Sequence, residues 1–206
     1  MAFAADAFSD LAPTLAGRIV RLEPLRPDHE EGLREAASDP RVWRWLPWTA
    51  ALDHESFHSW MADALARSAS GAESAFCTCA AEDGRPLGST RYHGLRPEHR
   101  GLEIGATWLT PAAWGTGANA EAKLLLLEHA FERLGCMRVE FKTEATNDRS
   151  RAALEAIGAR FEGIHRRHML VRDGEVRDSA WYSVTDVDWP ETKATLAARV
   201  AAKAGG

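Results

Sequence analysis

The segment from Leu102 to Lys123 constrains the fold of this chain more than any other part of the sequence. It begins with a β-prone apolar run that stops at Pro111, because proline cannot donate a hydrogen bond to a sheet ladder. Gly115 and Gly117 follow, and after them apolar residues recur with helical spacing. The residues of that apolar stripe are Ala120, Leu124, Leu127, Phe131 and Leu134. The pattern therefore predicts a strand, a glycine-containing loop and a helix.

Glycines at the start of a helix let main-chain N–H groups approach a phosphate, and the helix dipole favours an anion there. Two common phosphate-binding motifs do not fit this loop. The dinucleotide fingerprint needs a third glycine, and Ala120 occupies that position. The nucleoside triphosphate loop needs a Gly-Lys pair, which does not occur in the sequence. The loop thus predicts a diphosphate site of a third kind.

Four segments along the chain carry a resemblance to a known family. They are Val42–Pro47, Trp114–Ala118, Asn147–Arg151 with the later Glu162-Gly163, and Arg177–Ser179 with Asp188–Pro190. In this order they resemble the RimJ/RimL-like branch of the GCN5-related N-acetyltransferase (GNAT) superfamily. In that superfamily a Gln/Arg-x-x-Gly-x-Gly/Ala loop holds the pyrophosphate of acyl-CoA. The resemblance extends from about Gly17 to Trp189.

The chain departs from the family pattern at two positions. Ala112 stands where the loop motif has Gln or Arg, so one side-chain contact to the diphosphate is missing. Main-chain amides need no side chain and can still bind the diphosphate. Leu154 stands where many relatives carry a tyrosine that serves as proton donor, as is usual in the RimJ/RimL-like branch.

The order of elements predicts an α/β fold, because antiparallel strands precede a strand–helix–strand–helix–strand half. The resemblance implies a GNAT-like mixed sheet in a single domain, flanked by helices and splayed open near its centre, with acyl-CoA in the cleft. We expect a flexible N-terminal arm at residues 1–16, the acetyltransferase domain at 17–190, and a C-terminal helix or tail at 191–206. A length of 206 residues suits one such domain.

Composition limits the partners and the compartment. The net charge of -5 argues against a general nucleic-acid binder, and the apolar runs are too short to span a membrane. An odd number of cysteines, Cys77, Cys79 and Cys136, fits a reducing compartment, so a cytoplasmic location is expected. Cys77 and Cys79 would share one face of a strand as core residues. We therefore predict no metal site.

Glu103 is the candidate general base of this sequence. Partial burial in a strand would raise the pKa of its carboxyl group, so that it could deprotonate an ammonium group directly or through a water. RimJ/RimL-like relatives resemble this chain in having Glu at the matching place. The alternative is a structural carboxylate paired with Arg91 or Arg100.

Strict alternation along this strand predicts two faces. One face would carry Glu103, Gly105 and Thr107, and the other Ile104, Ala106 and Trp108.

The resemblance implies that acetyl-CoA contacts two stretches of main chain. The end of the strand would contact the pantetheine arm and the thioester, and the loop amides would hold the diphosphate. These residues are Trp108, Leu109, Thr110, Trp114, Gly115, Thr116, Gly117, Ala118 and Asn119.

The helix that begins at Asn147 adds three candidate residues. Asn147 is a good helix N-cap, and the resemblance adds a hydrogen bond to the pantetheine arm. Ser150 could protonate the departing thiolate, or be a solvated helix serine. Arg151 could reach a CoA phosphate or only solvent.

Trp43, Trp45 and Trp48 form an aromatic cluster that is the best candidate for the acceptor site. Aromatic walls suit an amine through cation–π contacts. The alternative is a hydrophobic plug that closes the sheet.

These observations predict an acetyl-CoA-dependent N-acetyltransferase that acts on a primary amine in a ternary complex. The acceptor would be a protein N-terminus or a small molecule, and the chain could act as a homodimer. The alternative is a non-catalytic module of the same fold that binds CoA or a metabolite.

Overall fold

The computed structural model describes residues 8, 10–48 and 51–204. These residues form an eight-stranded sheet and five α-helices. The strands are β1 (Leu15–Ala16), β2 (Val20–Pro24), β3 (Ser74–Ala80), β4 (Pro86–Arg96), β5 (Gly101–Leu109), β6 (Arg138–Glu144), β7 (Arg160–Val171) and β8 (Glu175–Thr185). The helices are α1 (Glu30–Ala36), α2 (His54–Ala69), α3 (Ala118–Glu132), α4 (Asp148–Ala156) and α5 (Trp189–Ala204). Within the described chain, no helix is both long and apolar enough to cross a membrane.

The sheet has the strand order β1-β2-β3-β4-β5-β6-β8-β7. Its neighbours pair antiparallel except for β5 and β6, which are parallel. Parallel neighbours need a crossover connection, and α3 supplies it. The mixed α/β sheet predicted from the order of elements is confirmed.

The sheet opens between β5 and β6. Their ladder consists of three pairs, which join Gly101–Glu103 to Arg138–Glu140. β5 continues to Leu109 and β6 to Glu144, so the two strands separate beyond Glu103. The central splay that the resemblance implied is therefore present, and Glu103 lies where it begins.

Two hydrophobic clusters cover the two faces of the sheet. One joins the sheet to α3, α4 and α5 through residues such as Leu126, Leu154 and Leu196. The other joins it to α1 and α2 through residues such as Leu33 and Phe57. Helices on both faces bury the sheet, which explains the nearly continuous apolar character of its central strands.

A β-bulge in β5 changes which side chains share a face. Ser89 pairs with Trp108 and Arg91 with Gly105, so β5 contains one extra residue between these pairs. Ala106 lies in that stretch with a positive φ of 50°. Bulges of this kind interrupt the alternation of side chains.

The predicted faces are therefore wrong beyond Gly105. Thr107 contacts Lys123 of α3, on the side where Ile104 packs. Trp108 packs with the α1 and α2 cluster, on the opposite face.

The buried stripe of α3 also differs from the predicted one. Leu127 and Leu134 of the predicted stripe are buried, but Ala120, Leu124 and Phe131 are only partly buried. Apolar residues outside the stripe, such as Ala122, Leu126 and Ala130, are buried as well. Helix α3 is apolar on most sides, so spacing alone could not select the buried face.

The described residues near both ends of the chain pack against the rest of the domain. Part of the predicted arm, Leu15–Ala16, pairs with β2, whereas residues 1–7 and 9 lie outside the described residues. Helix α5 packs on α3 through the fully buried Leu196 and through ion pairs of Lys193. The division of the chain at residues 16 and 190 stays a prediction.

Cys77 and Cys79 are buried in the α1 and α2 cluster, which confirms that they are core residues on one face of β3. Their sulfur atoms are 3.5 Å apart, and the ring of buried His29 lies within 4.8 Å of them. Nδ1 of His29 accepts the N–H of Arg26, and Nε2 lies 3.3 Å from Glu23 Oε2. Both ring nitrogens thus already have protein partners.

Candidate active site

A cavity of about 550 Å³ occupies the opening of the sheet. It extends from the loop before α3, past the separated strands β5 and β6, to the segment that precedes α2. Ten of the predicted site residues line it: Trp45, Trp48, Glu103, Trp108, Leu109, Trp114, Gly115, Asn119, Asn147 and Ser150. Six others lie outside its lining: Trp43, Thr110, Thr116, Gly117, Ala118 and Arg151. The structure thus brings together residues that are far apart in sequence.

The N-terminus of α3 is built to present main-chain amides. Gly117 occupies the N-cap position with a φ of 100° and offers no capping side chain, and the hydroxyl of Thr116 before it accepts the N–H of Ala118 at 3.4 Å. By contrast, Asp53 caps α2 and Asn147 caps α4. The first N–H groups of a helix have no intrahelical acceptor, and Glu121 is the residue whose N–H reaches back to Gly117. The cavity reaches this end of α3 at Gly115 and Asn119.

The two glycines of the loop have different surroundings. A Cβ atom on Gly117 would lie 2.8 Å from Lys203 and 2.9 Å from Ile19, so this glycine permits packing against α5 and against the residue that precedes β2. A Cβ atom on Gly115 would meet nothing within 4 Å, and its φ is 77°. Gly115 rather than Gly117 therefore faces the open space at the end of the cavity.

Glu103 is buried, with 4% of its surface exposed. Its Oε2 accepts a hydrogen bond from Nζ of Lys142 at 2.8 Å, and its Oε1 lies 3.3 Å from Nε2 of His93. Burial raises the pKa of the Glu103 carboxyl group, and the nearby Lys142 ammonium offsets part of that rise. The carboxylate thus sits at the mouth of the splay with a pKa shifted toward that of a useful base.

Neither arginine proposed as a structural partner of Glu103 contacts it. Arg91 pairs with Glu73, and Arg100 donates to the carbonyl oxygen of Gly135. Lys142, from the neighbouring strand β6, was not foreseen, because only the sheet order places it beside Glu103.

Two further bases line the cavity, the half-buried His93 and the buried Lys123. Burial lowers the pKa of His93 to about 4, so its ring is neutral at pH 7. Burial also lowers the pKa of Lys123 to about 7. Nζ of Lys123 donates to Oγ1 of Thr107 at 2.7 Å, and no carboxylate among the described residues pairs with it. Lys123 lies three residues after Ala120 and four before Leu127, at a position of the helix where an apolar residue is expected. This spacing could have identified Lys123 as a buried lysine from the sequence.

The helix α4 places its candidate residues at different depths. Asn147 accepts the N–H of Ser150 through Oδ1, which confirms the N-cap prediction and leaves its amide nitrogen free of that bond. Arg151 donates to the hydroxyl of Tyr182 and to the carbonyl of Ala145, away from the cavity. The predicted phosphate contact of Arg151 is therefore not supported.

Arg149 occupies the place in the cavity that was predicted for Arg151. Its guanidinium lies 3.9 Å from the centre of the Trp114 ring, beside the loop that precedes α3. A helix turn of 3.6 residues points Arg149 and Arg151 in different directions, and only the placement of α4 decides which one faces the cavity.

The tryptophan cluster divides into a core residue and two wall residues. Trp43 is 2% exposed, donates to the carbonyl of Ala37, and packs against Trp60 and Trp108. The prediction that Trp43 contacts the acceptor is thus corrected, since Trp43 is the hydrophobic plug. Trp45 and Trp48 line the cavity.

Comparisons with known proteins agree with this architecture. Residues 20–160 match the family described as acetyltransferase (GNAT) domain. The chain is 33% identical over 111 residues to YdaF of Bacillus subtilis (strain 168), a candidate ribosomal N-acetyltransferase. That alignment covers 54% of this chain and 60% of YdaF, so the chain matches less than two thirds of that relative.

Solved structures share the fold over nearly the whole chain. A GCN5-related N-acetyltransferase from Brucella melitensis is 34% identical, with a TM-score of 0.84 over 90% of this chain and 84% of that chain. RimJ of Mycobacterium smegmatis, solved in complex with CoA-disulfide, is 24% identical, with a TM-score of 0.77 over 93% and 95%. At 24% identity, the likeness to RimJ shows a shared fold alone.

Proposed function

Because this chain belongs to the GNAT acetyltransferase family, we propose that it transfers an acetyl group from acetyl-CoA to a primary amine by direct attack within a ternary complex. One observation carries the proposal. A continuous cavity joins the N-terminus of α3, where the N-cap residue is a glycine, to the buried carboxylate of Glu103, through the opening between β5 and β6. It can hold a diphosphate at one end and a reacting amine at the other.

The loop before α3 would bind the diphosphate of acetyl-CoA. The main-chain amides from Gly115 to Asn119 and the helix dipole favour an anion there, whereas the N–H of Trp114 already donates to the carbonyl of Pro111. Arg149 adds a cation at the same end. Trp108 and Leu109, at the end of β5, would contact the pantetheine arm through the main chain, and Asn147 would contact it from α4. Thr110, by contrast, lies outside the cavity lining, and its N–H donates to the carbonyl of Leu87.

Glu103 would accept a proton from the ammonium group of the acceptor. The neutral amine then forms a bond to the acetyl carbon, and the bond between that carbon and the CoA sulfur breaks. Ser150 lines the cavity and would donate a proton to the sulfur as it leaves, and the second proton of the attacking nitrogen would pass to the Ser150 oxygen, so that the amide and the free thiol are both neutral. Main-chain N–H groups near the splay would stabilise the negative charge that develops on the acetyl oxygen.

The acceptor end of the cavity lies between Trp45, Trp48 and Glu103. A primary amine fits this environment, because aromatic rings attract an ammonium group before it reaches the base. YdaF is described as a candidate ribosomal N-acetyltransferase, and the similarity to it supports a protein N-terminus as one acceptor. A small-molecule amine is the other.

The diphosphate site can be tested with a charge placed in the loop. Gly115→Asp introduces a carboxylate where a Cβ atom meets open space, and Asp tolerates a positive φ. We expect this variant to lose most of the rise in melting temperature that acetyl-CoA produces by mass action. Gly115→Asn is the neutral isostere, which separates charge repulsion from bulk.

A matched control is available at Gly71. Its φ of 73° and its open surroundings resemble those of Gly115, but it lies after α2 and outside the cavity lining. Gly71→Asp should leave acetyl-CoA binding unchanged. If Gly115→Asp also bound acetyl-CoA normally, the diphosphate would have to bind elsewhere. A free-thiol assay with a panel of amines then separates an acetyltransferase from a module that only binds CoA.

A further inference from the structure

Arg91 is a buried arginine whose hydrogen-bonding capacity the protein only partly uses. It is 2% exposed and lines the cavity from β4. Its Nη1 donates to Glu73, whereas Nε and Nη2 have no partner among the described residues. Buried donors without a partner are rare and cost about 1–3 kcal/mol each. These two N–H groups therefore point to a ligand that enters the cavity.

The geometry of the free donors specifies the ligand chemistry. Nε–H and Nη2–H form the side edge of the planar guanidinium, which matches a group with two oxygen atoms. Glu73 holds the other side of the group, and the rings of Trp48 and Trp60 lie 5.2 and 5.4 Å from its central carbon. The fork is thus fixed in place before any ligand binds.

Arg91 and Glu103 occupy one face of two neighbouring strands. Arg91 pairs with Gly105, and Glu103 lies two residues before Gly105 on the same face. Such diagonal neighbours are about 7–8 Å apart along the sheet. The ring of His93 occupies the space above Gly105, since a Cβ atom on Gly105 would clash with its Nε2. A small molecule that meets both groups would therefore lie across this ring, which is neutral at pH 7 because burial lowers the pKa of His93 to about 4.

The charges of the cavity favour an anion in addition to the diphosphate. The whole chain has a net charge of -5. The cavity lining nevertheless has more cations than anions, even when Lys123 and His93 are left out. The cations are Arg67, Arg91, Lys142, Arg149 and Arg177, and the anions are Asp63, Glu73 and Glu103.

We propose that the acceptor is a small amino carboxylate, with its amine at Glu103 and its carboxylate on Nε and Nη2 of Arg91. This inference rests on the proposed acetyl transfer and names its substrate class. The indoles of Trp45 and Trp48 would form the walls around the molecule. A polyamine would leave the fork of Arg91 unpaired and would add a second cation beside it.

The test compares the common amino acids with their carboxamides as acceptors, at saturating acetyl-CoA. The wild-type protein should show kcat/KM values about 10- to 100-fold higher for the preferred acid than for its amide, since hydrogen bonds to charged groups are lost in the amide. Arg91→Lys keeps the cation beside Glu73 but loses the fork. Its acid-to-amide ratio should fall toward one, with the KM for acetyl-CoA unchanged.

Two variants guard against misfolding and against a simple charge effect. The double variant Glu73→Met/Arg91→Met replaces the buried pair with apolar side chains of similar size, which proteins often tolerate. It should lose the preference in the same way. Arg34→Met removes a cation from an exposed pair with Glu31 on α1 and should retain the preference.

Calorimetric binding of N-acetyl amino acids and their amides to the CoA-loaded protein keeps the two proposals distinguishable. The wild-type protein should bind the acids more tightly, and Arg91→Lys should not. If no amine causes CoA to be released from acetyl-CoA, the proposal of acetyl transfer is wrong. The binding preference for acids would still support a carboxylate site at Arg91. Equal use of acids and amides, an unchanged preference in Arg91→Lys, or a preference for peptides over free amino acids would overturn the inference.

Discussion

Lys123 offers the most direct quantitative test of the electrostatics of the cavity. Its ammonium would be buried with two threonine hydroxyls, Thr107 and Thr90, as its hydrogen-bond acceptors. Burial lowers its pKa from 10.5 to about 7. At about 1.4 kcal/mol for each pKa unit, this difference corresponds to roughly 5 kcal/mol of lost stability when the lysine is charged.

Lys123→Met should therefore stabilise the protein. Met has a similar unbranched shape and removes the buried charge, at a cost of about 1 kcal/mol for the lost hydrogen bond to Thr107. Thr107 keeps its partner Thr90 at 2.8 Å. We expect the free energy of unfolding to rise by about 3–4 kcal/mol at pH 6.

The gain should depend on pH in a defined direction. Because the folded-state pKa is lower than that of the unfolded chain, the unfolded chain binds more protons between about pH 7 and 10.5. The stability of the wild-type protein therefore rises with pH through this window. The advantage of Lys123→Met should be largest below pH 7 and should vanish as pH approaches 10.5.

Urea denaturation of the wild-type protein and of Lys123→Met, at about pH 6, 8 and 9.5 and without acetyl-CoA, measures the difference between their free energies of unfolding. Lys193→Met is the control, because Lys193 pairs with Glu128 and Glu132 and its pKa is raised. Its effect should be destabilising and nearly constant across these conditions. A pH-independent effect of Lys123→Met, or a loss of stability at pH 6, would refute the burial of an uncompensated amine.

Three further substitutions test the base, the wall of the cavity and the core. Glu103→Gln keeps the shape of the side chain but cannot accept a proton, so turnover should fall about 10²–10⁴-fold with little change in acetyl-CoA affinity. An unchanged rate at neutral pH would assign Glu103 a structural role. Trp45→Ala should raise the acceptor KM and leave the acetyl-CoA KM unchanged, whereas Trp43→Ala should lower stability by about 3–5 kcal/mol. Equal weakening of both substrates by Trp45→Ala would place that residue in the core instead.

The sequence by itself determined the family and the order of the elements. Proline and glycine ended the strand β5 and started α3, and the Asn147 cap started α4, because such signals act within a few residues of the chain. The diphosphate loop and the base candidate Glu103 could be selected in the same way. The expectation that the loop and Glu103 line the same cavity followed from the resemblance.

Only the tertiary structure decided which side chains meet in the cavity. The bulge at Ala106 moved Trp108 to the face of Glu103, and alternation could not foresee it because bulges depend on the paired strand. The packing of α4 selected Arg149 over Arg151, and burial separated Trp43 from Trp45. Arg91 became a candidate only when its surroundings showed two donors without a partner. Desolvation and pairing arise between segments distant in the chain, so local sequence cannot specify them.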